Sequence, residues 1–250
     1  MSGHSKWHSI KHKKAKEDAK RGNVFGKLSK SITIAAREGG SGDPDNNFAL
    51  ANAIAKAKEY NMPWENIERA IKRGTGEIDG EKFETIIYEG YGPGGTAMMV
   101  EAMTENRNRT AADVRNIFSK SGGNLGETGC VSWLFEHKGI IFVEKTSVKD
   151  GESFMLDIID SGAEDIEEDD ETYIINTPTG EFANIRKKLD NMKVTVKSAE
   201  ITNVPKSTVE VSKKDAEKVL RLISVLEEHD DIQNVYSNVE ISDEILQEIG

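Results

Sequence analysis

The chain has 250 residues, 36% of them apolar and 31% charged, with a formal net charge of −11. That length allows two or three domains with modest cores, and no apolar run approaches the roughly 20 residues of a membrane span. The single cysteine, Cys130, excludes an intramolecular disulfide and fits a reducing compartment.

Charge is unevenly distributed from the start. Residues 1–40 hold ten Lys/Arg against three Asp/Glu, while the whole chain is acidic. A basic arm on an acidic body points to a polyanion, because phosphate backbones attract such arms through Coulomb energy and counterion release. Trp7, Ile10, Phe25, Leu28, Ile32 and Ile34 are interleaved with the charges, which argues against a merely solvated tail. The N-terminus has no apolar h-region. It favours Lys over Arg, and Glu17 and Asp18 interrupt it. It therefore reads as neither a secretory signal nor a transit peptide, and the cytoplasm is the expected location.

Residues 21–40 read as a helix. Phe25, Leu28, Ile32, Ala35 and Ala36 form one stripe, Lys27, Lys30 and Arg37 fall opposite, and Gly39–Gly40 ends it. Asp43 as N-cap with Pro44 at the first helical position predicts a second helix that buries Leu50, Ile54 and Ala57. Met62–Pro63 opens a third, with Ile67, Ala70 and Ile71 inward and Gly74 as its stop. A helical domain over 1–78 follows, and GTGEIDGE (74–81) is a polar linker.

The pattern then turns to strands. Strands are expected at 83–90, 96–103 and 128–135, with a helix at 109–121 whose first residue pair, Thr110 and Asp113, has capping-box spacing. Residues 139–145, 150–161, 164–168, 171–176, 179–190 and 193–201 follow the strand–helix–strand–strand–helix–strand order of a ferredoxin-like plait. A last helix at 212–228 and strand at 231–239 would complete a first plait into which the second is inserted. The expected fold is α+β with three domains: 1–78; 79–136 with 203–240; and 137–202. A C-terminal tail covers 241–250.

Motifs with chemistry are sparse. EGYGPGG (89–95) matches G-x-G-x-x-G, yet a dinucleotide site needs that motif between strand and helix. A glycine-rich hairpin loop is favoured. In TENRNRTAADVRNIF, Arg107 and Arg109 precede a helix start and Arg115 lies inside it. They could bind phosphate at the helix mouth or pair with nearby carboxylates, and both readings stand. His4, His8 and His12 repeat every four residues, but no Cys or carboxylate completes a metal set. Residues 157–171 hold nine Asp/Glu and no Lys/Arg, a face that would repel phosphate. No catalytic constellation is visible, so no enzyme activity, cofactor, metal or small-molecule substrate is expected.

GHSKWHSIKHKK, RGNVFGKLSK, NMPWENIERAIKRG, YEGYGPGG, ENRNRTAADVRNIFSKSGGNLG and VSWLFEHKG closely resemble the YebC/PmpR family. Its mitochondrial members are translational activators of cytochrome c oxidase. The resemblance implies a three-domain cytoplasmic regulator of gene expression, with a helical domain and two α+β domains. Bacterial members are classed as DNA-binding transcriptional regulators. A second family role is on the ribosome, relieving stalls at proline-rich stretches. The family's basic motif maps onto Lys6, Trp7, His8, Lys11, Lys13 and Lys14.

The expected partner is thus nucleic acid, either promoter DNA or ribosomal RNA with the ribosome, and not a membrane. The candidate contacts in the arm add His12, Lys16, Lys20 and Arg21 to the family motif. Lys27, Lys30 and Arg37 on the first helix, and Arg107, Arg109 and Arg115 further on, complete the set. Trp and His in the arm suit stacking on RNA. No recognition helix with Arg, Asn and Gln at base-reading spacing is evident to favour DNA.

Overall fold

The structure is a computed structural model and describes residues 21–80 and 82–249. These fall into two compact units, 21–131 with 211–237 and 132–210 with 238–249.

The first unit starts with three helices: α1 (Arg21–Glu38), α2 (Phe48–Glu59) and α3 (Trp64–Thr75). Leu28, Ile32, Leu50, Ile54, Ile67 and Ala70 make their shared core. The second helix starts later than its sequence suggests. Asp43 spends its carboxylate on the preceding turn, accepting from the Asp45 N–H at 3.0 Å and the Asn46 side chain at 2.7 Å. Asn47 is the cap instead. Its side-chain oxygen accepts from the Leu50 N–H at 3.1 Å, and its amide donates to the carbonyls of Ala35 and Ser41. Gly74 does not stop α3. It lies inside the helix, and the chain turns left-handed at Gly76 (φ 79°).

The sheet of this unit is built from β1 (Glu84–Tyr91), β2 (Ala97–Thr104), β3 (Asn124–Leu125) and β9 (Ile232–Ser237), all antiparallel to their neighbours. Their order is β3-β1-β2-β9. It does not repeat the plait. β1 and β2 form the direct hairpin that the glycine-rich loop predicts, and they are the two central strands. Gly94 and Gly95 in that loop have φ of 72° and 76°, a left-handed backbone that glycine adopts without steric cost. The strand expected at 128–135 is not there. Glu89, buried, accepts the N–H groups of Gly129 (2.7 Å) and Val131 (2.8 Å) and holds this segment as a loop. Helices α4 (Arg107–Lys120) and α7 (Lys213–Glu228) pack side by side on one face, over buried Met98, Val100 and Ala102. α4 runs back along β2 and α7 leads into β9, so the two helices are antiparallel.

The second unit has the predicted split βαβ arrangement. Its strands are β4 (Phe135–Glu144), β5 (Asp165–Glu168), β6 (Thr172–Pro178) and β7 (Val196–Pro205), in the order β5-β6-β4-β7. Helices α5 (Gly151–Ile159) and α6 (Phe182–Met192) cover a core of Ile141, Val143, Phe154, Ile158, Ile175, Ile185 and Leu189. β8 (Val209–Glu210) and β10 (Val239–Glu240) pair in parallel. The expected tail contains α8 (Asp243–Ile249), whose first turn is met by Ser242. Part of the acidic run is neutralised: Glu164, Glu168 and Glu171 pair with Lys138, Lys145 and Lys197. Burial pushes the Asp169 carboxyl up, but N–H donors from Glu171 and Thr172 outweigh it and hold the group below its ordinary value.

Candidate nucleic-acid interface

Of the candidate contacts, Lys6, Trp7, His8, Lys11, His12, Lys13, Lys14, Lys16 and Lys20 lie outside the described residues, as do His4 and the histidine repeat. Arg21 opens α1.

The remaining basic residues of α1 do not form one solvent stripe. The Lys27 ammonium donates to the Glu227 carbonyl at 2.5 Å. That of Lys30 donates to Asp231 Oδ1 at 2.6 Å and to the carbonyls of Asp230 (3.2 Å) and Met103 (3.4 Å), 5.3 Å above the Phe83 ring. Periodicity correctly sets both off the bundle's apolar stripe. It misses that α1 has a second packing face, turned to the sheet, where Ser31 also meets Met103 and Gln233. Lys30 is therefore a structural cation and not a free phosphate ligand. Arg37 is exposed beside Glu38 at 3.9 Å.

Asp231 is the centre of this contact. Its side chain is 5% exposed. Besides Lys30, it accepts from Thr110 Oγ1 (2.8 Å), Arg109 (3.0 Å) and Thr104 Oγ1 (3.3 Å). Burial alone would raise the Asp231 carboxyl, but hydrogen bonds from Lys30, Thr110 and Arg109 hold it well below the ordinary carboxylate range. The same hydrogen bond and charge raise the Arg109 guanidinium. Of the two readings left open, carboxylate pairing holds for Arg109. The α4 cap is Asn106, which accepts the Arg109 N–H at 3.1 Å. Thr110, the expected cap, is instead buried in the fourth helical position. Asp113, the expected box acid, lies 3.4 Å from His229 Nε2. Nothing in the spacing of EEHDDIQ (227–233) marks Asp231. It reads as one more solvated acid in a turn, and only the β2–β9 pairing brings it to α1 and α4.

What stays outward on α4 is distinctive. Arg107, Asn108, Ala112, Arg115, Asn116, Ser119 and Lys120 are exposed along with half-exposed Arg109, and the one acid of the helix, Asp113, is half-exposed. This Arg/Asn spacing is hidden in the sequence because the buried face has to be located first. Tyr88 donates to the Arg107 carbonyl at 3.4 Å. Burial raises its phenol, against the opposing pull of Arg107.

Other motifs carry less. The EGYGPGG loop joins two antiparallel strands and does not open a helix, so it lacks the context of a dinucleotide site. Burial pushes the Cys130 thiol up, away from the thiolate a nucleophile needs. Among the described residues no three His, Cys, Asp or Glu are grouped to hold a metal, and no helix is long and apolar enough to cross a membrane.

The helical bundle and the two sheets correspond to known sequence profiles. One described as "TACO1/YebC protein N-terminal domain" matches residues 5–77, and one described as "TACO1/YebC second and third domain" matches residues 83–239. The chain belongs to the TACO1/YebC family. A TACO1/YebC relative from Halothermothrix orenii, named "Probable transcriptional regulatory protein", is 55% identical over 251 residues, with 100% of this chain and 99% of the relative covered. One of the same name from Dictyoglomus turgidum is 54% identical, with both chains covered in full. The crystal structure of a conserved hypothetical protein from Aquifex aeolicus matches with a TM-score of 0.80 at 49% identity, over 92% of this chain and 94% of that one. The regulator label of the TACO1/YebC family is thus shared by relatives along the full length.

Proposed function

We propose that this chain is a nucleic-acid-binding regulator of gene expression and not a catalyst. It would grip phosphate with its basic N-terminal arm and with the outward face of α4. The observation that carries this is the α4 face itself: Arg107, Arg115 and Lys120 with two Asn, against one half-exposed acid, Asp113, in a chain of net charge −11. Arg and Asn are also the side chains that pair bidentately with base edges. The transcriptional reading, on duplex DNA, is supported by the names of the relatives. A ribosomal or RNA reading is favoured by a separate observation: α4 lies flat on the sheet beside α7 and does not protrude as a single helix.

Removing residues 1–20 should abolish most nucleic-acid affinity. Arg107→Ala with Arg115→Ala should weaken what remains while thermal unfolding moves little, because both side chains are exposed. Binding to duplex DNA should fall with salt at a log–log slope of about −0.9 per phosphate neutralised. Unchanged affinity after truncation would sink the arm's role. Co-sedimentation with ribosomes, abolished when Lys11, Lys13 and Lys14 become Glu, would select translation. A footprint on a defined promoter at physiological salt, without ribosome association, would select transcription.

A further inference from the structure

α7 carries basic residues that neither the arm nor the α4 argument uses. Lys214, Lys218 and Arg221 recur at i, i+4 and i+7 and are exposed. This spacing sets three cations along one face, over roughly 10 Å of helix at 1.5 Å per residue. Lys218 makes a loose pair with Asp215 in its own turn, at 3.7 Å. Glu217, exposed, stands between Lys214 and Arg221 on that face, and Glu227 and Glu228 lie at the far end; over 213–221 the cations Lys213, Lys214, Lys218 and Arg221 still outnumber the acids Asp215 and Glu217.

Because α4 and α7 are antiparallel, the basic start of α7 lies beside the C-terminal half of α4. That half presents Arg115, Asn116 and Lys120 outward. The contact of Asp113 with His229 fixes the opposite end of the pair, since it joins the second turn of α4 to the residue that ends α7. One end of the helical layer is therefore basic across both helices.

Size decides which double helix such a layer fits. Two helices packed at 8–10 Å between axes, each about 10–12 Å across, make a surface roughly 20 Å wide. The B-DNA major groove is about 12 Å wide and takes one helix. A-form RNA presents a wide, shallow minor groove with 2′-hydroxyls and flanking phosphates. A broad, flat, basic layer meets the second shape and is too wide for the first.

We propose that the outer layer of α4 and α7 is a docking surface for double-helical RNA. Arg115, Lys120, Lys214, Lys218 and Arg221 hold phosphates, and Asn116 faces the groove. The inference rests on the nucleic-acid reading above and names its target class.

The test uses the full chain and fluorescence anisotropy at physiological salt. The probes are a mixed-sequence RNA duplex, the same sequence as a DNA duplex, and one RNA strand. The variant is Lys214→Glu with Lys218→Glu and Arg221→Glu. A charge-matched control reverses Lys149, Lys187 and Lys193, exposed on the second unit. The variant should bind the RNA duplex at least about tenfold more weakly, and its salt slope should become shallower by about three, one for each phosphate no longer neutralised. The control and the single strand should change little, and thermal unfolding should confirm the fold. An equal weakening in the control would reduce the effect to net charge and overturn the proposal. A larger weakening on DNA would overturn the RNA assignment. A variant that binds the RNA duplex as tightly as wild type would remove this surface and leave the nucleic-acid reading standing. A wild type that binds none of the three probes would end both.

Discussion

Asp231→Ala should destabilise the first unit by about 3 kcal/mol, the lower end of what removing one partner of a buried ion pair costs. The lower end applies because Arg109 is 49% exposed and can turn to water, whereas Lys30, at 17%, cannot do so readily. The substitution leaves the ammonium of Lys30 and the hydroxyls of Thr104 and Thr110 without their shared acceptor. For a unit of this size, thermal unfolding should fall by roughly 6–12 °C. Adding Lys30→Met to Asp231→Ala should recover part of the stability, because it removes the stranded charge. A double-mutant cycle measures that coupling. Additive effects would show that Lys30 and Asp231 act independently.

The same carboxylate sets a pH dependence. The folded Asp231 carboxyl lies below its unfolded value, and an unfolded Asp titrates near 3.9. The folded state therefore binds fewer protons. The stabilisation is fully present above about pH 4 and is lost as pH falls from there through the folded value. Asp231→Asn keeps the size and removes the charge. Its stability deficit against wild type should be constant from about pH 7 to 5 and shrink below about pH 4. A deficit that does not shrink on acidification would assign the effect to packing.

Much of the architecture follows from periodicity in the sequence. The α1 stripe, the hairpin at β1–β2 and the continuous apolar runs of β4 and β6 are each local patterns that mark an element. The second sheet takes its predicted order because strand–helix–strand crossovers have few ways to close. What periodicity misses is tertiary. Asp43 and Asn47 are both good caps, and the choice depends on Asn47 also reaching the Ala35 and Ser41 carbonyls. Lys30 is a surface residue of the bundle and an interior residue of the bundle with its sheet. Asp231 gains its role from residues 121 and 201 positions away. The α4 face becomes readable once Thr110, Val114 and Phe118 are known to be its buried side.

Gly74 shows how a residue correctly singled out in sequence can hold a different place in structure. A glycine that stops a helix disfavours a side chain because its φ is positive. Gly74 is helical, and there Ala would ordinarily be favoured by about 0.5–1 kcal/mol. Its obstacle is α1. A Cβ at Gly74 would press on the Thr33 carbonyl oxygen and lie 2.7 Å from the Ala36 Cβ. The Thr33 hydroxyl already donates to the Ala70 carbonyl at 3.1 Å, so α1 and α3 are tied at this crossing and cannot separate without breaking a buried hydrogen bond. Overpacking of this kind costs about 1–3 kcal/mol, and backbone is the obstacle here, so the upper end applies. Net of the helix gain, Gly74→Ala should lower stability by about 2 kcal/mol, and Gly74→Val should lower it more. Gly76→Ala, at the left-handed turn in open space, should cost about 1 kcal/mol from conformation alone. Urea unfolding of the three variants separates the causes. A Gly74→Ala protein as stable as wild type would mean that the two helices part at no cost, and the α1–α3 crossing would not be the tight contact described.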